Sequence, residues 1–598
     1  MYQLRVLPLA LSLLATCVVI SEAKPLKLHA IFTDHMVLQR DKPIKIWGWA
    51  DKGDKVSVKF GNEQSEATAT GDAGRWEVSF PARGANADPL TLFVSSDDEK
   101  VELKNILIGD VWVMYGQSNM AWGFEKTTHS DLDRLQANIP LLRHFRISTN
   151  EQASLQSDIR AEAVANGGWE VSTPKTALGF SAIGYYFGAT VQRSLGVPVG
   201  VISAARGGAS IESMVPAHKF AEDPLAKRYA EFVAKRRAEF DFRAKALEVW
   251  GRQVERAKRK KVPEEKWPKK PKEHENLRSW DIPGKSPSDA ASIYNGMFGV
   301  FKGLGIKGVL FHQGYNNAIS SNCRPKRYRV LTKLMVEGIR EDFNEPDLPF
   351  GIIGLCAGGN AQNEDNFEAL SHDGGAFIRE AQRLGLADVK NQTNLMFLPA
   401  YDVRVPGLHP QKKREHGVRA ARWALANVYP DTGVQWREVK MLSAKPEGNE
   451  FVLTFDASMI DDNRSSVPQG FSIAGEDGKF YMAHARYREE KGHPSKVPNV
   501  IRIWSPLVAK PVAIRYAWAR APMGNLKHAG HPDRPLPSFR TDSWDYPESD
   551  DPEVSAVGRG EGRAMKAEAE ERLEFRRAED AKRGVEILEG NKKLMRPE

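Results

Sequence analysis

Val111-Trp-Val-Met-Tyr-Gly-Gln-Ser-Asn-Met120 is an apolar run of β-type residues that ends at Gly116 and presents a hydroxyl, Ser118, two residues later. A serine at a strand-to-helix turn is where an α/β hydrolase holds a nucleophile. The glycine permits the tight turn, and the backbone N–H groups that follow face the reacting centre. Taken alone, such a serine is more often ordinary turn chemistry.

The surrounding pattern supports a sheet of this kind. Apolar runs at Val111–Met114, Val197–Ser203, Ile306–Phe311, Phe350–Leu355 and Asn394–Leu398 are interleaved with helical stretches such as Ser181–Leu195. That alternation predicts a parallel, doubly wound α/β domain over residues 106–435. A charged helical insertion, 216–285, interrupts it; it reads as a solvated helical hairpin, with docking of an anionic polymer as the alternative. Residues 27–105 alternate apolar and polar at period two in Ile44–Trp49, Val56–Phe60 and Trp76–Phe80, predicting a β-sandwich-like domain. Residues 436–545 are β-rich again, and 546–598 read as a charged tail, disordered or helical, that builds no core.

At 598 residues, 41% hydrophobic and 27% charged, the chain is too long for one core and well supplied for several. Its formal charge of +8 is concentrated between Lys227 and Lys272 rather than in an aromatic-lined groove, so no nucleic-acid partner is expected. No P-loop, zinc spacing or dinucleotide fingerprint is present, and neither a cofactor nor a metal is expected. Arg5, the apolar run Val6–Ile20 and Ser21-Glu22-Ala23 read as a signal peptide, residues 1–23, that directs export to the periplasm or medium. A lipoprotein signal at Leu14–Cys17 is the rival reading, and no later segment is expected to span a membrane. Removal of the signal leaves Cys323 and Cys356, as one disulfide or two buried thiols.

Three further clusters fall where a hydrolytic site would need them. Ala205-Arg-Gly-Gly-Ala-Ser210 follows a strand, and its paired glycines let backbone N–H groups approach an oxyanion. Phe311-His-Gln-Gly-Tyr-Asn-Asn317 follows another and brings the side-chain amides of Gln313 and Asn317. Asp402-Val-Arg-Val-Pro-Gly-Leu-His-Pro410 places His409 before a helix striped by Val418, Ala421, Leu425 and Val428, with Pro410 in its first turn. A serine, a late histidine and separate amide donors make an acyl-transfer site. The rival Gly179-Phe-Ser-Ala-Ile-Gly184 has one residue too many for a nucleophile elbow, so Ser181 reads as a helix cap.

Gly116-Gln-Ser-Asn-Met120, in one order with other short motifs, resembles the sialate O-acetylesterase family, a branch of the SGNH-type hydrolases. The other motifs are Phe32-Thr-Asp-His-Met-Val-Leu-Gln39, Phe180-Ser-Ala182, Val197-Pro-Val-Gly200, Gly207-Gly208, Tyr294-Asn-Gly-Met297, Gln313-Gly314, Asn317, Arg379-Glu-Ala-Gln382 and His409-Pro410. Arg515-Tyr-Ala-Trp518, Asn525-Leu526 and Phe539-Arg-Thr-Asp542 continue the likeness, which covers about residues 28–545. The resemblance implies an SGNH-type doubly wound hydrolase domain flanked by N-terminal and C-terminal β-rich domains. It implies a serine esterase that removes acetyl groups from O-acetylated carbohydrate, either sialic acid or an acetylated plant-type polysaccharide, without a cofactor; with the signal peptide, an exported one.

Carried over by position, Ser118 is the nucleophile and His409 the general base. The N–H groups of Ser118 and of Gly207 or Gly208, with the Asn317 amide, form the oxyanion hole. Gln117, Gln313, Arg206 and Tyr315 are expected to contact substrate. Where many SGNH hydrolases carry an Asp three residues before the His, this chain has Pro406; Asp402 or a backbone carbonyl is left to orient His409. Tyr315 replaces a usual Glu, and Arg206 replaces a usual Trp, a change that would suit an anionic sugar. The alternative function is a carbohydrate-binding protein on the same fold that has lost turnover.

Overall fold

The computed structural model describes residues 25–594, apart from 98, 274, 356–357, 404–406, 462–466 and 490–495. The expected signal peptide 1–23, Cys356 and Pro406 lie outside the described residues.

One strand of 18 residues, β1 (Glu99–Gly116), organises the fold. From Ile106 to Gly116 every residue is buried, as a strand covered on both faces requires, and this is why its sequence reads as a continuous apolar run. Parallel strands flank it: β4 (Val199–Ala205) on one side and β5 (Gly308–His312) on the other. The sheet extends through β2 (Ile139–Arg146) beyond β4, and through β6 (Phe350–Ile353) and β7 (Leu395–Leu398) beyond β5, all parallel. A short antiparallel strand, β3 (Glu170–Ser172), closes the β2 edge, giving the order β3-β2-β4-β1-β5-β6-β7. The five predicted apolar runs are strands of this sheet. β2 falls outside the predicted set, because Pro140, Arg143 and His144 dilute its apolar run.

Helix α1 (Ala182–Leu195) starts at Ser181, whose side chain accepts from the Gly184 N–H, and stops at the left-handed Gly196. The insertion contains two successive helices, α2 (Pro224–Ala238) and α3 (Phe242–Arg259), joined at residues 239–241. Helix α4 (Pro325–Asp342) packs against α5 (Gly374–Ala387), and α1 packs against α6 (Lys413–Asn427). Pro410 stands three residues before α6 rather than in its first turn.

The expected domain boundary at 105/106 falls inside β1. Asn105 adopts a left-handed conformation (φ 57°) and the ladder with Asn86–Ser96 shifts register beside it, so the strand bends without stopping. Lys55–Phe60, Glu63–Thr68 and Asn86–Ser96 form a ladder that ends on the first half of β1, while Val37–Gln39 pairs in parallel with residues 107–109. Trp47 and Phe60 of the amino-terminal strands share one apolar cluster with Trp112 and Phe187.

Residues 441–540 form further antiparallel strands around a separate core that includes Phe455, Ile473, Ile501 and Tyr516. Arg379 of α5, 1% exposed, ties this region to the main sheet by donating to the carbonyls of Ala517 and Ala519 and to Ser538 Oγ. The expectation of a coreless tail is corrected. Tyr546 packs on Phe377 and Val557 joins the main apolar cluster. Helix α7 (Arg559–Leu594) buries Ala569, Leu573 and Arg576 at helical spacing, and Arg576 pairs with the buried Glu368 at 2.8 Å. The sparse apolar positions suffice because a single face is docked.

Candidate active site

The carboxyl ends of β4, β1 and β5 meet where the chain leaves the sheet centre in opposite directions, the crevice in which open α/β sheets bind ligands. Gly116 ends β1 with φ 143°; a Cβ there would lie 2.2 Å from the carbonyl oxygen of His312. Only glycine lets the two strand ends close this tightly. The Gln117 N–H donates to that same carbonyl at 3.1 Å, and the Arg206 N–H donates to Gly116 O at 2.9 Å. Three loops are thereby pinned around Ser118, which opens the one-turn helix Ser118–Ala121.

His409 Nε2 lies 2.9 Å from Ser118 Oγ. The imidazole stacks on the Trp122 indole, centroids 4.6 Å apart and planes within 16°. Burial pushes the His409 pKa below the ordinary imidazole value, and the Lys413 cation pushes it the same way. The neutral form, able to accept a proton from the serine, is therefore favoured near neutral pH. The adjacent Asn119 side chain holds the histidine loop from below, donating from Nδ2 to the Leu408 carbonyl at 3.0 Å and accepting from Lys413 Nζ at 2.5 Å.

Asp402 is not brought to His409. Both its oxygens are taken by Arg419, at 2.8 and 2.6 Å, and both side chains are more than nine-tenths buried. Breaking such a pair costs about 3–5 kcal/mol. A hydrogen bond from the histidine returns about 1.5–3 kcal/mol, so the arginine wins. No carboxylate pairs with His409 among the described residues.

Gly207 stands beside the nucleophile: a Cβ built on it would meet Ser118 Cβ at 3.7 Å. Gly208 is left-handed (φ 73°), as a tight loop after β4 requires. Asn317 is held by both ends of its amide. Its Oδ1 accepts from the Ile211 N–H at 3.1 Å and from Gln313 Nε2 at 2.8 Å, and its Nδ2 donates to Glu212 at 3.0 Å. Glu212 is in turn clamped by Arg327 at 3.0 and 2.7 Å.

Of the four residues expected to contact substrate, Gln313 and Tyr315 are buried supports of the site, and Gln117 has its carbonyl oxygen engaged. Gln313, 1% exposed, spends its amide on Ala209 O and Asn317 and accepts from Tyr328 OH. Gln117 accepts from the Gly314 N–H at 3.0 Å. Tyr315 is buried, its ring against Gly358, whose neighbour Gly359 donates to Gly407 O in the histidine loop. Buried amides must be satisfied internally, and that of Gln313 is on both its nitrogen and its oxygen. Arg206 alone reaches the rim; it pairs with the buried Glu151 at 2.5 Å, and its guanidinium lies 5.5 Å from the Trp280 ring.

Asn119, Trp122, Glu212 and the Tyr328–Gln382 pair were not assigned from the sequence. Asn119 and Gln382 stand inside quoted motifs, where their spacing to Ser118 and Gln313 was the available signal. Glu212 carried none, because its partner Asn317 is 105 residues away.

No family model matches the chain. It is 23% identical to sialate O-acetylesterase of Rattus norvegicus over 354 residues, 54% of this chain and 59% of that protein. The alignment therefore spans less than two thirds of that relative. A crystal structure of a carbohydrate acetylesterase from Xanthomonas citri superposes with a TM-score of 0.67 and 26% identity, over 87% of this chain and all of that one. The likeness in sequence is thus to a sialate O-acetylesterase and the likeness in architecture to a carbohydrate acetylesterase.

Proposed function

We propose that this chain is a serine esterase that removes O-acetyl groups from carbohydrate through an acetyl-enzyme. The observation that carries the proposal is the 2.9 Å approach of His409 Nε2 to Ser118 Oγ beside Gly207, at the centre of the sheet's carboxyl edge. Its similarity to two acetylesterases supports the reaction class.

Ser118 Oγ attacks the acetyl carbonyl carbon while its proton passes to His409 Nε2. The oxyanion is received by the N–H groups of Ser118 and Gly207, with the second Nδ2 hydrogen of Asn317, the one not given to Glu212, as a third donor. Each such donor is worth about 2.7–4 kcal/mol. Collapse expels the sugar hydroxyl, which takes the proton from His409. Water then attacks the acetyl carbonyl, giving its proton to His409; acetate leaves and Ser118 is reprotonated. With Asp402 committed to Arg419, the pair works as a dyad whose ring is oriented by the Trp122 stack and the Asn119-held loop. The expected export segment would place this reaction outside the cytoplasm.

The test is acetate release by the purified chain and by Ser118→Ala on O-acetylated sialic acid, acetylated xylan and a small acetyl ester. Release that disappears in the variant supports the reading. Equal release by both proteins, or none from any of the three substrates, overturns it.

A further inference from the structure

The insertion does more than decorate the surface: the segment that follows α3 reaches the loop beside the nucleophile. Trp280, 44% exposed, lies in that segment and lays its six-membered ring on Gly208, where a Cβ would stand 2.6 Å from Cη2. Its ring also meets the Arg206 guanidinium. One residue before Gly208, Gly207 adjoins Ser118, so an exposed indole packs on the loop that borders the nucleophile. The turn that carries it is fastened to α3 by Arg252 and Asp281, 3.7 Å apart.

The same insertion carries the chain's charge. Residues 224–272 hold seventeen Lys and Arg against seven Asp and Glu, an excess of ten that is larger than the +8 of the whole protein. Arg256, Lys260, Lys261, Lys269 and Lys270 are exposed. Trp250 and Trp267 are half-buried among them, with Lys270 and Lys258 over their rings at 5.9 and 5.4 Å. Like charges crowded this way repel one another and are relieved by a polyanion.

We infer that this insertion is the substrate-recognition element of the site and that the substrate is an acidic polysaccharide. The sugar ring bearing the ester stacks on Trp280, and the carboxylates of neighbouring sugars run over the basic face of α3 and the strand of chain that returns along it. An indole face offers apolar area to the C–H groups of a sugar at little entropic cost, and surface cations add a long-range, salt-sensitive attraction. This inference rests on the esterase reading for turnover, but its binding half does not.

Two assays separate them. In the first, kcat/KM is measured on O-acetylated polygalacturonate, acetylated xylan and a small acetyl ester. Trp280→Ala lowers the ratio of either polysaccharide to the small ester at least tenfold, chiefly through KM, and Trp280→Phe restores it. Charge reversal (Lys260→Glu, Lys261→Glu, Lys269→Glu, Lys270→Glu) lowers the ratio for the acidic polymer alone. In the second, Ser118→Ala protein is run in affinity electrophoresis through gels containing unacetylated polygalacturonate. It is retarded, and the retardation is lost with charge reversal or at 0.5 M salt, on the order of three times physiological ionic strength. Unchanged ratios in both variants, no retardation, or tighter retention by duplex DNA than by polygalacturonate would each overturn the inference. Absence of turnover with retardation intact would overturn the esterase reading and leave the binding surface standing.

Discussion

Asn119 Nδ2 donates to the carbonyl of Leu408 at 3.0 Å, so the residue after the nucleophile holds the residue before the base. Ser118 and His409 are 291 positions apart in the chain, and this contact fixes their separation more directly than any element of the sheet. Replacing Asn119 by Ala frees the histidine loop and leaves Lys413 without its amide oxygen. A misplacement near 1 Å is enough to cost about 100-fold. The loss is expected in kcat with KM little changed, read by steady-state kinetics on a small acetyl ester.

Ser118 and His409 act as a unit, so their removal is not additive. Ser118→Ala and His409→Ala each reduce kcat by several orders of magnitude, up to about 10⁶-fold, and the double variant loses little beyond either. Kinetics of the three variants on one substrate check this. Losses that multiply would mean two independent contributions.

Because burial and Lys413 hold the His409 pKa below 6.5, its accepting form persists into mildly acidic solution. Activity is expected to be flat through neutrality and to fall as pH drops through the lowered pKa. Lys413→Met removes a cation that disfavours imidazolium, so the pKa rises and the acid limb of the kcat/KM profile moves to higher pH.

Asp402→Asn breaks a buried ion pair with Arg419 and strands the guanidinium. The expected loss is about 3–5 kcal/mol of stability, seen as a lowered melting temperature. The acid limb of the folded variant stays where it was. A shifted limb would instead place the carboxylate on the histidine.

Much of this arrangement was legible because it is local in sequence. Gly116 and Ser118 lie in one strand-to-turn run, and five parallel strands announce themselves as apolar runs. Ser181 could be read as a helix cap from the spacing to Gly184 alone. What stayed hidden depends on pairings between distant segments. Nothing near Gln313 says that its amide is spent on Asn317 and Ala209, so a buried strut resembled a substrate contact. Asp402 sits seven residues before His409, yet a cation one helix later claims it. The tail misled for a related reason: Ala569, Leu573 and Arg576 are too few to suggest a core until Glu368 is seen beneath them.

The unbroken passage of β1 from the amino-terminal ladder to the nucleophile also bears on how the molecule can be divided. A cut at residue 105 would sever a hydrogen-bonded rail and leave its neighbour strands with raw edges, so the hydrolytic half is no portable cassette. Heat is therefore expected to dismantle the amino-terminal ladder and silence the serine in a single step.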